Sequence, residues 1–143
     1  MKKLLLCIAA VLSINSVKAQ TPQWVYANAI GAVQSTDSPT FTAKDALGNL
    51  YVASNFGGTQ TFGPSQETSS GFYDAYVVKY DVNGAFVWFR KYGATGAFTQ
   101  CGGLTVDAAG NIYVTGSFTN QITLGSTTYP TSGNRDSLAC YRH

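Results

Sequence analysis

The sequence predicts an all-β chain made of about two four-stranded antiparallel sheets, each produced by one repeated unit. Three observations carry this. Twelve residues, Asp45-Ala-Leu-Gly-Asn-Leu-Tyr-Val-Ala-Ser-Asn-Phe56, return as Asp107-Ala-Ala-Gly-Asn-Ile-Tyr-Val-Thr-Gly-Ser-Phe118, with seven positions identical at an offset of 62. A fixed period means one supersecondary unit used more than once. No stretch keeps the apolar period of a helix, whereas short β-prone runs recur between clusters of Gly, Asn and Asp. Charged residues are only 11% of the chain against 13% aromatic ones, which suits sheets joined by many turns.

In chain order, Met1-Lys2-Lys3 is a basic start, Leu4 to Leu12 is apolar, and Val17-Lys18-Ala19 places small residues before Gln20. That is the pattern of an export signal, and the apolar run is too short to span a bilayer as a helix. Leu4-Leu5-Leu6-Cys7 superficially resembles a lipoprotein box, but acylation so early would leave almost no signal core. Residues 1–19 are therefore assigned to a signal peptide and 20–143 to the repeat region. Export to the periplasm, the cell surface or the exterior is the expectation. No later segment is long and apolar enough to be a transmembrane helix.

Without the signal, six basic residues face seven acidic ones, and Lys44, Lys79, Arg90, Lys91, Arg135 and Arg142 form no stripe. Nucleic acid is not an expected partner. Two cysteines remain, Cys101 and Cys140, at positions where the first copy has Pro39 and Val78. An exported compartment permits a bridge, which spacing alone does not establish.

Residues 20–39 read as the fourth strand of a preceding blade plus a linker, because Gln23-Trp24 to Ile30 aligns with Ala85 to Tyr92. Residues 40–93 read as a complete blade and 94–143 as a linker and a truncated blade. Within the blade, Phe41 to Lys44 is a short strand, as is Leu104 to Val106 in the second copy. Each runs into Asp-Ala-x-Gly-Asn, a hairpin turn: Asp bonds to amides downstream, while Gly and Asn tolerate positive φ. Leu50 to Phe56 and Ile112 to Phe118 follow as strands with large apolar groups on both faces, so both faces need cover. A long Gly/Thr/Ser-rich loop leads to Ala75 to Tyr80, the turn Asp81-Val-Asn-Gly84, and Ala85 to Arg90 as the fourth strand. Such sheets need a neighbour on each side, which a radial propeller or a stacked solenoid provides. Hairpin turns speak against a parallel β-helix, and an immunoglobulin-like sandwich explains the in-register repetition poorly.

The residues Asp45, Gly48, Asn49, Tyr51, Val52, Phe56, Phe62, Gly63, Asp74, Ala75, Val77, Lys79, Tyr80, Asp81, Asn83, Gly84 and Trp88 make the chain resemble the SBBP β-propeller repeat of secreted bacterial proteins. The second copy follows the pattern through Asp136 and then departs. The resemblance implies a β-propeller-like fold, here an incomplete ring, and transfers no catalytic motif. Two blades do not close a ring, which takes at least about four. Missing blades or self-association are expected to complete the fold, and the ending Ala139-Cys-Tyr-Arg-His143 is read as that of a fragment of a longer repeat protein.

No catalytic residue, metal site or cofactor is expected. His143 is the only histidine and the last residue, so a Ser-His-Asp or Cys-His arrangement has no base. Asp81-x-Asn83-Gly84 lacks the further oxygen ligands of a calcium loop. Asp45, Gly48, Asn49 and their repeats Asp107, Gly110, Asn111 are expected to build turns, and Trp24, Trp88, Tyr51 and Tyr113 to pack between blades. Phe72, Tyr73 and Tyr129 lie in or beside the long loop, outside the core positions, and are the candidates for contacts with protein or glycan. The expected function is a non-enzymatic secreted scaffold for binding or adhesion. The alternatives are a fragment of a propeller lyase or glycosidase, or a truncated product without a function of its own.

Overall fold

The computed structural model describes residues 41–142, with side chains through Ala139. The expected signal at 1–19, the expected lone strand within 20–39 and His143 lie outside the described residues. Described residues form strands and turns, with no helix among them. Strands β1 (Phe41–Lys44), β2 (Leu50–Phe56), β5 (Asp74–Tyr80) and β6 (Phe86–Tyr92) make an antiparallel sheet in the order β1-β2-β5-β6. Strands β7 (Thr99–Val106), β8 (Ile112–Phe118) and β11 (Asp136–Arg142) make a three-stranded sheet in the order β11-β8-β7. The repeat at offset 62 maps β2 onto β8 and β5 onto β11.

The expected all-β, blade-like architecture is the one observed. The long loop is more ordered than its composition suggested. It folds into a hairpin, β3 (Thr59–Phe62) with β4 (Ser65–Thr68), and the second copy repeats it as β9 (Gln121–Leu124) with β10 (Thr127–Pro130). Each hairpin turns at a left-handed glycine, Gly63 or Gly125. Its anchor is a single buried apolar side chain per strand register: Phe62 is fully buried, stacked on Phe89 with ring centroids 4.1 Å apart. With Phe56 and Tyr76 it closes one face of the first sheet. In the second copy Ile122 does this against Phe118 and Leu138. Strand β7 also begins five residues earlier than the apolar pattern indicated. Its register shifts between Cys101 and Gly103, and that irregularity hides the alternation on which the pattern depends.

The two sheets stack face to face in one sense. Tyr51, Ala53, Ala75 and Val77 of the first sheet bury against Cys101, Ile112 and Val114 of the second, with Trp88 and Leu104 at the margins. Backbone approaches closely beside this layer, and the Asn55 side-chain oxygen accepts the Cys101 N–H at 2.5 Å, tying one sheet to the other. Cys101 is a free, buried thiol, and burial pushes its pKa up. It sits on β7 while Cys140 sits on β11, with β8 between them. Two strand spacings separate them by about 9–10 Å, beyond the reach of a disulfide.

Because Phe62 is fully buried among Phe56, Tyr76 and Phe89, Phe62→Ala is expected to cost about 3–5 kcal/mol in denaturant unfolding. Tyr129→Ala, on the exposed face of β10, should stay within about 0.5 kcal/mol of the parent. Equal losses at the two sites would contradict the role of the hairpin as a plug.

Candidate functional site

The two ends of the sheets differ in chemistry. At one end lie three copies of the same turn. Asp45 Oδ1 accepts the N–H groups of Leu47 and Asn49 at 3.0 and 2.9 Å, while the Gly48 N–H reaches the Asp45 carbonyl at 3.0 Å. Asp107 does the same with Ala109, Asn111 and Gly110, and Asp81 with Asn83, Ala85 and Gly84. Gly48, Gly84 and Gly110 have φ of +86°, +83° and +87°, a left-handed conformation that a Cβ disfavours. Asn49 and Asn111 are not at positive φ. Their side chains instead donate to the second aspartate oxygen, at 2.8 and 2.7 Å. Tyr51 and Tyr113 add their hydroxyls at 3.1 and 3.2 Å. The recurring Asp-x-x-Gly-Asn-φ-Tyr is therefore one hydrogen-bonded clamp, with Lys79 added at 3.7 Å in the first copy.

Burial pushes the Asp45 carboxyl up, but the bonds from Asn49, Tyr51 and Leu47 outweigh it and hold its pKa below the usual value. At Asp107 the bonds from Asn111 lead the same downward shift. These carboxylates are committed to the backbone. Tyr51 is buried against Trp88, centroids 6.0 Å apart, whereas Tyr113 is 38% exposed on the outer face of the second sheet.

At the opposite end, the chain passes from β6 to β7 beside the segment that enters β5. Phe72 and Phe98 stack there at 4.6 Å and 13°, and Tyr73 tilts against Phe98 at 5.9 Å. Both stacked rings are exposed, Phe72 by 61% and Phe98 by 40%. Their backbone is fixed. Phe72 N–H donates to the Ala97 carbonyl and Thr99 N–H to the Tyr73 carbonyl, each at 2.9 Å. Phe98 N–H donates to Thr119 Oγ1, and its carbonyl accepts the Thr119 N–H. Gly57 lets the segment close: a Cβ there would lie 2.8 Å from the Phe72 carbonyl oxygen. Tyr129 joins no ring pair among the described residues and stands on β10 opposite Ile122.

Residues 87–117 match the family model described as a beta-propeller repeat, SBBP. Over that stretch the chain is similar to an SBBP repeat. The matched stretch runs through β6, across the connection and along β7 and β8, so the SBBP unit straddles the two stacked sheets. An uncharacterized WD repeat-containing protein of Acanthamoeba polyphaga mimivirus is 44% identical over 55 residues, which is 38% of this chain and 4% of that relative. The chain thus spans a small part of the relative's length.

The sequence brought Phe72 and Tyr73 forward but missed Phe98. A signal was present: the positions 62 residues from Phe72 and Phe98 hold Asn134 and Thr36, so both rings depart from the repeat. Departure, rather than recurrence, marks this cluster.

The lowered carboxyl values give a sign. An aspartate whose folded-state pKa lies below its unfolded value of about 3.9 stabilises fully above that value, and the contribution is lost as pH falls through the folded-state pKa. Stability should therefore drop on acidification below about pH 4. The double variant Asp45→Asn, Asp107→Asn should be less stable at pH 7 and show a flatter acid limb. A parallel pH dependence in parent and variant would remove the clamp from the explanation.

Proposed function

We propose that the chain acts as a non-enzymatic scaffold of SBBP-type blades, exported through residues 1–19, that binds glycan or protein outside the cell. The observation that carries this reading is the exposed, backbone-pinned stack of Phe72 on Phe98. A rigid pair of rings offers flat apolar area at small entropic cost, as in carbohydrate stacking and aromatic interface anchors. The turn aspartates Asp45, Asp81 and Asp107 accept hydrogen bonds from turn amides, which supports a structural use for them. Tyr73 buttresses the stack from its inner side, where its ring lies over Gly57.

On a glycan array the parent is expected to bind a subset of polysaccharides, and Phe72→Ala with Phe98→Ala should weaken that binding at least about tenfold while circular dichroism stays unchanged. Binding that is indifferent to both rings would sink the platform. Turnover of any glycan on the same panel would favour the enzymatic alternative. Export has its own readout, the mass of the secreted product, which should begin at Gln20.

A further inference from the structure

A groove of about 530 Å³ opens between the end of β6 and the hairpin β9–β10. Its walls carry Ser70, Thr95, Gln121 and Thr123, which offer hydroxyls and an amide, together with Arg90 and Lys91. Backbone contacts hold its shape. The Thr123 N–H donates to the Gly93 carbonyl at 3.4 Å, tying the hairpin to the residue that follows β6. Asn120, beside Gln121, takes a left-handed φ of 61°, a conformation asparagine accepts more readily than most residues. Its side-chain amide donates to the Gly96 carbonyl at 2.9 Å.

The segments that line this groove also carry the aromatic stack. Ser70 stands two residues before Phe72 and Thr95 three before Phe98. Gln121 stands two after Thr119, whose hydroxyl accepts the Phe98 N–H. Gly71 seats the first segment on the second, where a Cβ would collide with the carbonyl oxygens of Ala94 and Ala97. Two or three residues of chain span at most about 7–11 Å. Groove and rings therefore adjoin, within the reach of one short oligosaccharide.

The charges in the groove are not equally free. Lys91 Nζ lies 3.8 Å from Glu67 Oε2 and donates to the Thr68 carbonyl at 2.5 Å, so the protein itself answers that charge. Arg90 has no carboxylate within ion-pair distance among the described residues. Its guanidinium is nevertheless held, donating to the Phe89 carbonyl at 2.9 Å and lying 5.9 Å from the Trp88 ring centroid. An arginine has five N–H donors, so most of this exposed fork is left for a ligand. Asp74 lies beneath Ser70 and Gly93 and would oppose an anion. It is fully buried, however, and its carboxylate is met by the N–H groups of Ser70 at 2.7 Å and Gly71 at 3.2 Å.

We infer that the groove takes the carboxylate or sulfate of an anionic polysaccharide, with Arg90 as its anchor, while a neighbouring sugar ring lies on Phe72 and Phe98. An arginine fork matches the paired oxygens of such groups, and a fork already held in place loses little freedom on binding. Ser70, Thr95 and Gln121 supply partners for the sugar hydroxyls between the two anchors. The inference rests on the glycan-binding reading and adds to it the class of glycan.

Titration calorimetry on the full chain tests this with two matched pairs, polygalacturonate against its methyl ester and dextran sulfate against dextran. At least one charged member should bind at least about tenfold tighter than its neutral counterpart at low salt, with the ratio falling as salt rises. Arg90→Gln should bring that ratio close to one, whereas Arg90→Lys, which keeps the charge, should retain part of it. Lys44→Gln removes the same charge from β1, across the sheet from β6, and should leave the ratio as it was. Circular dichroism and thermal melting check that each variant is folded. Equal binding of charged and neutral members overturns the inference and spares the glycan reading. Equal losses in Arg90→Gln and Lys44→Gln would reveal a general charge effect and overturn it as well. Charged binding undiminished in Phe72→Ala with Phe98→Ala would refute the union of groove and stack. Binding to no member of the panel would remove the glycan reading itself, and this inference with it.

Discussion

The fold depends on one contact, the packing of Tyr51, Ala53, Ala75 and Val77 on Cys101, Ile112 and Val114. A four-stranded sheet with apolar groups on both faces cannot leave either in water. Burying even the four first-sheet side chains removes several hundred Å² of apolar surface, at about 25 cal/mol per Å². Small residues at its centre, Ala53 and Ala75, let the sheets come close enough for the Asn55 oxygen to reach the Cys101 amide. That bond satisfies a backbone donor at the very place where β7 shifts register, so the polar group is buried at little cost.

The turns set the register on which this packing relies. A slip of one residue would exchange the two faces of every strand. The clamp prevents it by fixing five consecutive residues through one carboxylate, and its tyrosine extends that control into the strand. Tyr51 illustrates the coupling: its hydroxyl bonds Asp45 while its ring packs on Trp88 in the stacked layer. One side chain therefore links turn geometry to inter-sheet packing.

This also explains what the sequence disclosed. The clamps were legible because Asp, Gly and Asn each have a local, short-range job at fixed spacing, even though the asparagine works as a donor rather than through positive φ. The strands β2, β5, β6 and β8 were legible because their apolar content exceeds what any loop would carry. The hairpins β3–β4 and β9–β10 were not, since four-residue strands of Thr, Gln and Ser have no alternation strong enough to read. What orders them is packing that no local window contains, Phe62 on Phe89 in the first and Ile122 on Phe118 and Leu138 in the second. The aromatic cluster was half visible for the same reason: Phe72 and Phe98 are far apart in sequence and meet only because the sheets stack.

The face that the first sheet turns to its neighbour and the face that the second sheet turns outward are not equivalent, although the repeat places the same positions on them. Where the first sheet presents Phe41, Tyr51, Ala53, Asn55 and Ala75 to its neighbour, the second presents Gly103, Tyr113, Thr115, Ser117 and Ser137. Thr115, Ser137 and Ala139 are exposed, and Gln100 beside them accepts a hydrogen bond from Arg135. A face of this kind tolerates water. Stacking on it would yield much less hydrophobic free energy than the buried layer between the two sheets.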